Sequence, residues 1–194
     1  MIPIDRMLAE GGPWLNGSGS RADEILSTRV RLARNLAGMR FVGRASEEDL
    51  EAIFLRIVGA VRLVEALRPG SMSPIDQLGV LDRHFLLERH LLSPDLTSEA
   101  KHRGLAISSD ETLSVMINEE DHLRLQCLKS GMQLDEALQA ANALDDQLSE
   151  HVPFAWSEEF GYLTACPTNV GTGLRASLLV HLPSLVLTQR IKRS

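Results

Sequence analysis

Cys166-Pro-Thr-Asn-Val-Gly171-Thr-Gly173-Leu-Arg175-Ala-Ser177 joins a thiol, a glycine-bearing loop and a fixed cation within twelve residues. Glycines at 171 and 173 open backbone angles closed to other residues, so the main chain can approach a ligand and aim N–H groups at anionic oxygens. Arg175 adds a planar fork of donors that matches phosphate and keeps its charge at any ordinary pH. The plainer alternative is a surface turn entering a strand. On either reading a strand is expected from Tyr162 to Cys166. A second should leave the loop, with Ala176, Leu178, Val180 and Leu182 alternating with Arg175, Ser177 and Leu179.

The decision between phosphate loop and surface turn depends on whether other segments supply matching pieces. Ser27, Arg29 and Arg31 alternate with Thr28, Val30 and Leu32, the period of a strand with one polar and one apolar face. Strand geometry sets the two arginines side by side. One exposed arginine is a solvated sheet edge, whereas two beside a serine suit a phosphate clamp. Leu105 to Ser108 and Leu113 to Asn118 read as short strands around Ser109-Asp110-Glu111, and Leu123, Leu125 and Cys127 alternate with Arg124 and Gln126. An antiparallel meander follows, with Cys127 on the apolar side as an inert core thiol and Arg124 on the ligand-accessible side. Glu119-Glu120-Asp121 falls between these strands, where three acids in a row are ordinarily a solvated turn.

Helices frame this meander. Ser46 with Asp49 forms a capping-box start, and Leu50, Ile53, Phe54, Ile57, Val61, Val64 and Leu67 recur at helical spacing, so a helix is expected to run until Pro69-Gly70. Leu134, Ala137, Leu138, Ala141, Leu144 and Leu148 give a second, ending near Ser149 to His151. Both stripes are core packing. Pro183 suits the first turn of a closing helix through about Lys192. Residues 1 to 24, with Gly11, Gly12, Pro13, Gly17 and Gly19, are expected to be an irregular lead-in. Strands outnumber helices and are joined by short turns, so the class is α+β with a mainly antiparallel sheet flanked by helices.

At 194 residues the chain is long enough for one domain with a real core. Its net charge of −6 gives no global attraction for nucleic acid or an anionic membrane, so any anion site must be local. No apolar run reaches the roughly 20 residues of a membrane span. Two cysteines without a secretory leader fit a reducing, cytoplasmic compartment. The six histidines and two cysteines show no ligand spacing, so no metal-binding residues are assigned.

Ser27-Thr-Arg29-Val-Arg31-Leu-Ala-Arg-Asn35, Asn118-Glu-Glu120-Asp-His122-Leu-Arg124 and the loop from Cys166, in this order, resemble the phosphagen (guanidino) kinase family, and within it the bacterial protein-arginine kinases. The resemblance runs from about Trp14 to the last residues. It implies the glutamine synthetase-like fold of that family's catalytic domain for residues 25 to 194, and phosphorylation of arginine side chains with ATP and magnesium. The ATP-binding residues it implies are Ser27, Thr28, Arg29, Val30, Arg31, His90, Arg124, Arg175, Ala176, Ser177, Leu178 and Leu179. His90 enters through Glu88-Arg-His90-Leu-Leu-Ser-Pro94. Glu120 corresponds to the acid that orients and deprotonates the acceptor, and Cys166 to a reactive cysteine beside the guanidinium, with a thiolate favoured by nearby cations.

Small-substrate members of the family carry a helical domain before the first arginine motif, and only 26 residues precede Ser27 here, which favours a protein substrate. The resemblance implies a heat-shock repressor and unfolded proteins as substrates, possible regulation by an activator protein, a role in stress response and protein quality control, and no direct contact with nucleic acid or membrane. The family also uses a further arginine and a second acid on segments beyond residue 194, so the domain is expected to be incomplete and its activity feeble. A non-catalytic nucleotide-binding fragment and a kinase of small guanidino compounds are the alternatives.

Overall fold

A computed structural model of the chain describes residues 2–68, 70–97 and 101–188. Its elements are α1 (Ile4–Ala9), β1 (Ile25–Arg34), α2 (Glu47–Val61), β2 (Ser71–Pro74), α3 (Val80–Glu88), β3 (Gly104–Ile107), β4 (Leu113–Ile117), β5 (Leu123–Ser130), α4 (Leu134–Ser149), β6 (Trp156–Ser157), β7 (Gly161–Tyr162), β8 (Leu174–Val180) and α5 (Pro183–Leu187). Six strands form one sheet in the order β2-β3-β4-β5-β1-β8, with every neighbour antiparallel, and β6 with β7 makes a separate hairpin. This is the α+β class expected from the sequence.

The two faces of the sheet have different fates. On one, Val30, Leu32, Val115, Leu125 and Cys127 pack against Ile53, Ile57 and Val61 of α2 and Ala137, Ala141, Leu144 and Leu148 of α4, all fully or nearly buried. Ser46 starts α2 as expected: its Oγ accepts from the Asp49 N–H at 3.1 Å while Asp49 Oδ2 accepts from the Ser46 N–H at 3.0 Å. Such a cap contributes on the order of 1 kcal/mol. On the other face, Leu105, Ile107 and Met116 are covered by Ile2, Met7, Leu86 and Leu91, which leaves the polar side of β5, β1 and β8 for a site.

Three expectations need correction. The first 24 residues are not uniformly irregular: α1 and a 3-10 turn at Pro13–Leu15 bury Ile2, Met7 and Trp14, and the Arg89 guanidinium donates to the carbonyls of Met7 and Glu10. A six-residue helix has too few turns to show a period, and tertiary packing holds it. The first long helix ends at Val61, earlier than expected, and Val64 and Leu67 reach the core from a following 3-10 turn at Glu65–Leu67. Tyr162 to Cys166 is not one strand: β7 stops at Tyr162, and the next residues are held by Leu163 N–H donating to Ala155 and Ala165 N–H donating to Asp121. α5 begins at Pro183 as expected, while its anticipated continuation past Thr188 lies outside the described residues. Among the described residues no helix is long and apolar enough to cross a membrane.

Candidate active site

Strand register assembles the cations. Arg31 lies opposite Arg175 on β8 and Gln126 on β5, Arg29 lies opposite Ser177 and Leu128, and Arg124 lies opposite Ala33. Paired residues share a face of a sheet, so Arg29, Arg31, Arg124 and Arg175 all project to the open side. Their mutual repulsion is visible in their acidities. Arg31 is depressed from its ordinary value to about 10, first by burial and then by Arg29, Arg124 and Arg175, with Glu119 opposing. Arg29 is lowered by burial and then by Arg175 and Arg124. Arg31 still carries its proton at neutral pH, and its Nε is buried without a hydrogen-bond partner. A buried charged donor left unpaired is costly, so this face is built short of an anion.

The acid turn resolves into three roles. Glu119 is 3% exposed, receives Arg124 Nη1 at 2.5 Å and accepts the Ser93 hydroxyl, which anchors Arg124. Glu120 points outward and meets Arg124 Nη2 at 3.3 Å. Asp121 is buried, and its Oδ1 accepts from Asn35 Nδ2 at 2.6 Å and from the Ala165 N–H at 2.7 Å, tying the approach to Cys166 onto the turn. Glu120 and Cys166 consequently line one cavity of about 210 Å³ with Arg31, Arg124, Asn169 and Arg175. The solvated-turn alternative fails for Glu119 and Asp121, whose neighbours Ser93, Asn35 and Ala165 are distant in sequence and carried no signal.

Gly173 fixes the loop against β1. It adopts φ +65°, its carbonyl accepts the Ala33 N–H, and a Cβ there would stand 2.5 Å from the Ala33 carbonyl oxygen. Cys166 is partly exposed, with Sγ 3.0 Å from Thr168 Oγ1. Cys127 is fully buried, and burial pushes its thiol up to about 11, consistent with the inert core thiol read from the alternation.

Further along β1 a second cavity of about 100 Å³ is lined by Ser27, Arg29, His90, Ser177 and Leu179. Arg29 Nε donates to Ser177 Oγ at 3.4 Å. His90 holds a left-handed backbone, φ +59°, while its carbonyl accepts from Gln126 Nε2 at 2.7 Å and its ring lies 5.1 Å from Trp14. Burial, then Arg29, lowers its pKa, so the ring is neutral at pH 7. Thr28 and Val30 do not share this face: Val30 is in the core, and Thr28 is fully buried with its hydroxyl donating to the Gly131 carbonyl. Ala176 lies opposite Val30, so its Cβ points the same way. These three can offer a ligand only main-chain atoms. His122 is structural: Nδ1 accepts from the Leu36 N–H, so Nε2 carries the proton donated to the Arg40 carbonyl.

Fold and site together define an α+β domain with four arginines clustered on one open face of its sheet, and an acid and a thiol at one end of the cluster. Residues 53–194 match the family described as ATP:guanido phosphotransferase, C-terminal catalytic domain, and the chain belongs to that family. A protein-arginine kinase of Symbiobacterium thermophilum is 48% identical over 93% of this chain and 52% of its own length. One from Shouchella clausii is 43% identical over 99% of this chain and 54% of its own. The duplicated taurocyamine kinase of Schistosoma mansoni, solved with bound transition-state-analog components, superposes with a TM-score of 0.79 at 28% identity, covering 88% of this chain and 25% of that one. The chain thus spans about half the length of the protein-arginine kinases it matches.

Proposed function

We propose that this chain is the catalytic portion of an ATP-dependent protein-arginine kinase. The observation that carries the reading is the cavity where Arg31, Arg124 and Arg175 meet Glu120 and Cys166, and relatives at 43–48% identity bear that name. In this reading the nucleoside end of ATP lies toward His90 and Ser177 and the phosphates lie along Arg29, Arg31, Arg175 and Arg124. The unpartnered Arg31 Nε fits such an anion.

Phosphoryl transfer asks mainly for alignment and charge stabilisation. The acceptor is a guanidinium with a free pKa of roughly 12.5–13.8, a poor nucleophile until it loses a proton. Glu120 orients it and takes that proton. The freed nitrogen forms a bond to the γ-phosphorus as the bond from phosphorus to the β,γ-bridging oxygen breaks, and that oxygen leaves on ADP with the electron pair. Cys166 stands beside the acceptor as a polar wall. Among the described residues no group of three or more His, Cys, Asp or Glu is placed to hold a metal, so magnesium enters this reading as a companion of the phosphates, where it would offset their charge.

The reading also places the protein in the cytoplasm, acting on arginine-containing proteins such as a heat-shock repressor and unfolded chains in a stress response, under an activator protein. The test is to incubate the chain with magnesium and γ-labelled ATP and an arginine-rich protein, then measure acid-labile phosphoarginine. Wild-type labelling that disappears in Glu120→Gln, with ATP affinity retained, is expected. ATP binding with no transfer in either protein would favour the nucleotide-binding alternative, and failure to bind ATP would refute both.

A further inference from the structure

Four of the eight aromatic side chains, Phe154, Trp156, Phe160 and Tyr162, fall in the nine residues around the β6–β7 hairpin. Two are not in a core: Trp156 is 58% exposed and Phe160 55% exposed. They border an open groove of about 650 Å³ between the hairpin and α4, floored by Leu32 and Leu174 and edged by Asn142, Asp146 and Thr172. That volume is within the range of ligand pockets. The groove opens on the α4 side of the sheet, away from the arginine cluster, yet Gly171 and Thr172 of the Cys166 loop form part of its wall.

The groove contains its own example of what it recognises. The Arg34 guanidinium sits 3.5 Å from the centre of the Tyr162 ring and grips both oxygens of Asp145 at 2.8–3.2 Å. A planar cation between an aromatic face and a carboxylate is the geometry arginine favours and lysine reproduces poorly. Arg34 is consumed by this pairing. Next to it the same two chemistries recur with no cation between them, in Trp156, which packs edge-to-face on Tyr162 at 4.8 Å and stays largely exposed, in the exposed Phe160 and in the exposed carboxylate of Asp146, with Glu158 and Glu159 at the hairpin tip.

We propose that this groove is a docking site for an arginine-bearing stretch of polypeptide, gripped through its guanidinium by Trp156 and Asp146 and held against the outer wall of the Cys166 loop. The choice of occupant rests on the protein-arginine kinase reading, while the groove's preference for arginine rests on its aromatic and acidic lining. A substrate protein would then be held by one arginine outside the catalytic cavity, which separates recognition of the polypeptide from chemistry on the acceptor.

The experiment titrates the chain into a fluorescently labelled flexible peptide carrying several arginines, and into the same peptide bearing lysines, following the anisotropy of the peptide label, and measures ATP binding separately by calorimetry. Arginine peptide is expected to bind at least about threefold tighter than lysine peptide, and Trp156→Ala or Asp146→Asn to weaken it by about two- to fivefold each. ATP affinity should stay unchanged in both variants. Arg31→Ala should lose ATP affinity and keep the peptide, so failure of the kinase reading and failure of the groove show up in different titrations. Equal affinity for the lysine peptide, or unchanged affinity in both groove variants, overturns the proposal. So does self-association, measured by sedimentation, that vanishes in Trp156→Ala, since a second copy then fills the groove. A longer chain of the same sequence that no longer binds the peptide would likewise overturn it.

Discussion

Replacing Arg31 with methionine separates binding from stability more sharply than any other change at this site. Arg31 is driven from its ordinary value to about 10 by burial and by three neighbouring arginines. Nominally that is about 3 kcal/mol of disfavoured charge, and solvent screening at a half-exposed group brings it to about 1 kcal/mol. The sign follows from the depressed value: the unfolded chain holds this proton more tightly, so the charge opposes folding at all pH values below about 10 and the penalty fades above. Methionine keeps the volume and removes the charge, so the ligand-free variant should melt about 2–4 °C higher than wild type. ATP affinity should move the other way, since a charge-assisted contact contributes about 1.5–3 kcal/mol, or roughly tenfold to a hundredfold in Kd. Scanning fluorimetry with and without magnesium-ATP reads both at once, and added salt should shrink the wild-type shift. A variant that melts lower and keeps its ATP shift would show that Arg31 is a structural cation, and the anion-deficit argument would fall.

Limited alkylation followed by mass spectrometry should label Cys166 well before Cys127, whose thiol is buried and pushed up to about 11; faster labelling of Cys127 would contradict the packing of β5. Glu119→Gln leaves Arg124 without its buried counter-charge and should cost about 3 kcal/mol in urea unfolding, with a loss of ATP affinity, whereas an unchanged midpoint would mean that Arg124 finds another partner. His90 and His122 both have folded pKa values held below the ordinary histidine value by burial. The unfolded chain therefore binds more protons, and stability should be full above about pH 6.5 and fall progressively below it. His90→Gln should flatten part of that acid-side loss, and a loss of equal steepness in the variant would remove His90 from the account.

The strands and long helices were legible because their patterning repeats. β1 alternates through Ser27 to Leu32 and lies where that alternation put it, and α2 begins at the Ser46 cap. What was not legible depended on contacts between distant residues. The lead-in carries α1 through contacts far along the chain: Ile2 and Met7 pack against Leu86 and Leu91, and Arg89, more than seventy positions away, binds the carbonyls of Met7 and Glu10. The segment before Cys166 has strand-like residues, but its N–H groups are taken by Asp121 and Ala155 and not by a neighbouring strand. Thr28, Val30 and Ala176 show the limit of naming a motif as a block: period-two geometry turns alternate members of it to the opposite face of the sheet, where Thr28 and Val30 are buried and Ala176 lies exposed on the edge strand.

The same limit explains the acid turn, where three adjacent carboxylates differ in burial and in partners, although Glu119 and Glu120 share Arg124. Two strands, β4 and β5, end and begin on either side of it, so its side chains must diverge, and each is fixed by whichever partner lies in its direction. Glu119 turns under the sheet's open face, where burying a carboxylate is tolerable only because Arg124 and Ser93 satisfy it. Asp121 turns the opposite way into Asn35 and the Ala165 N–H, and through that contact carries the Cys166 loop into register. Glu120, between them, keeps only a 3.3 Å contact to Arg124 and so remains free to meet a ligand. Glu119 is satisfied by Arg124 and Ser93, and Asp121 binds through Oδ1 while its Oδ2 stays buried without a partner, so Glu120 is the one carboxylate of the three that is exposed at the cavity.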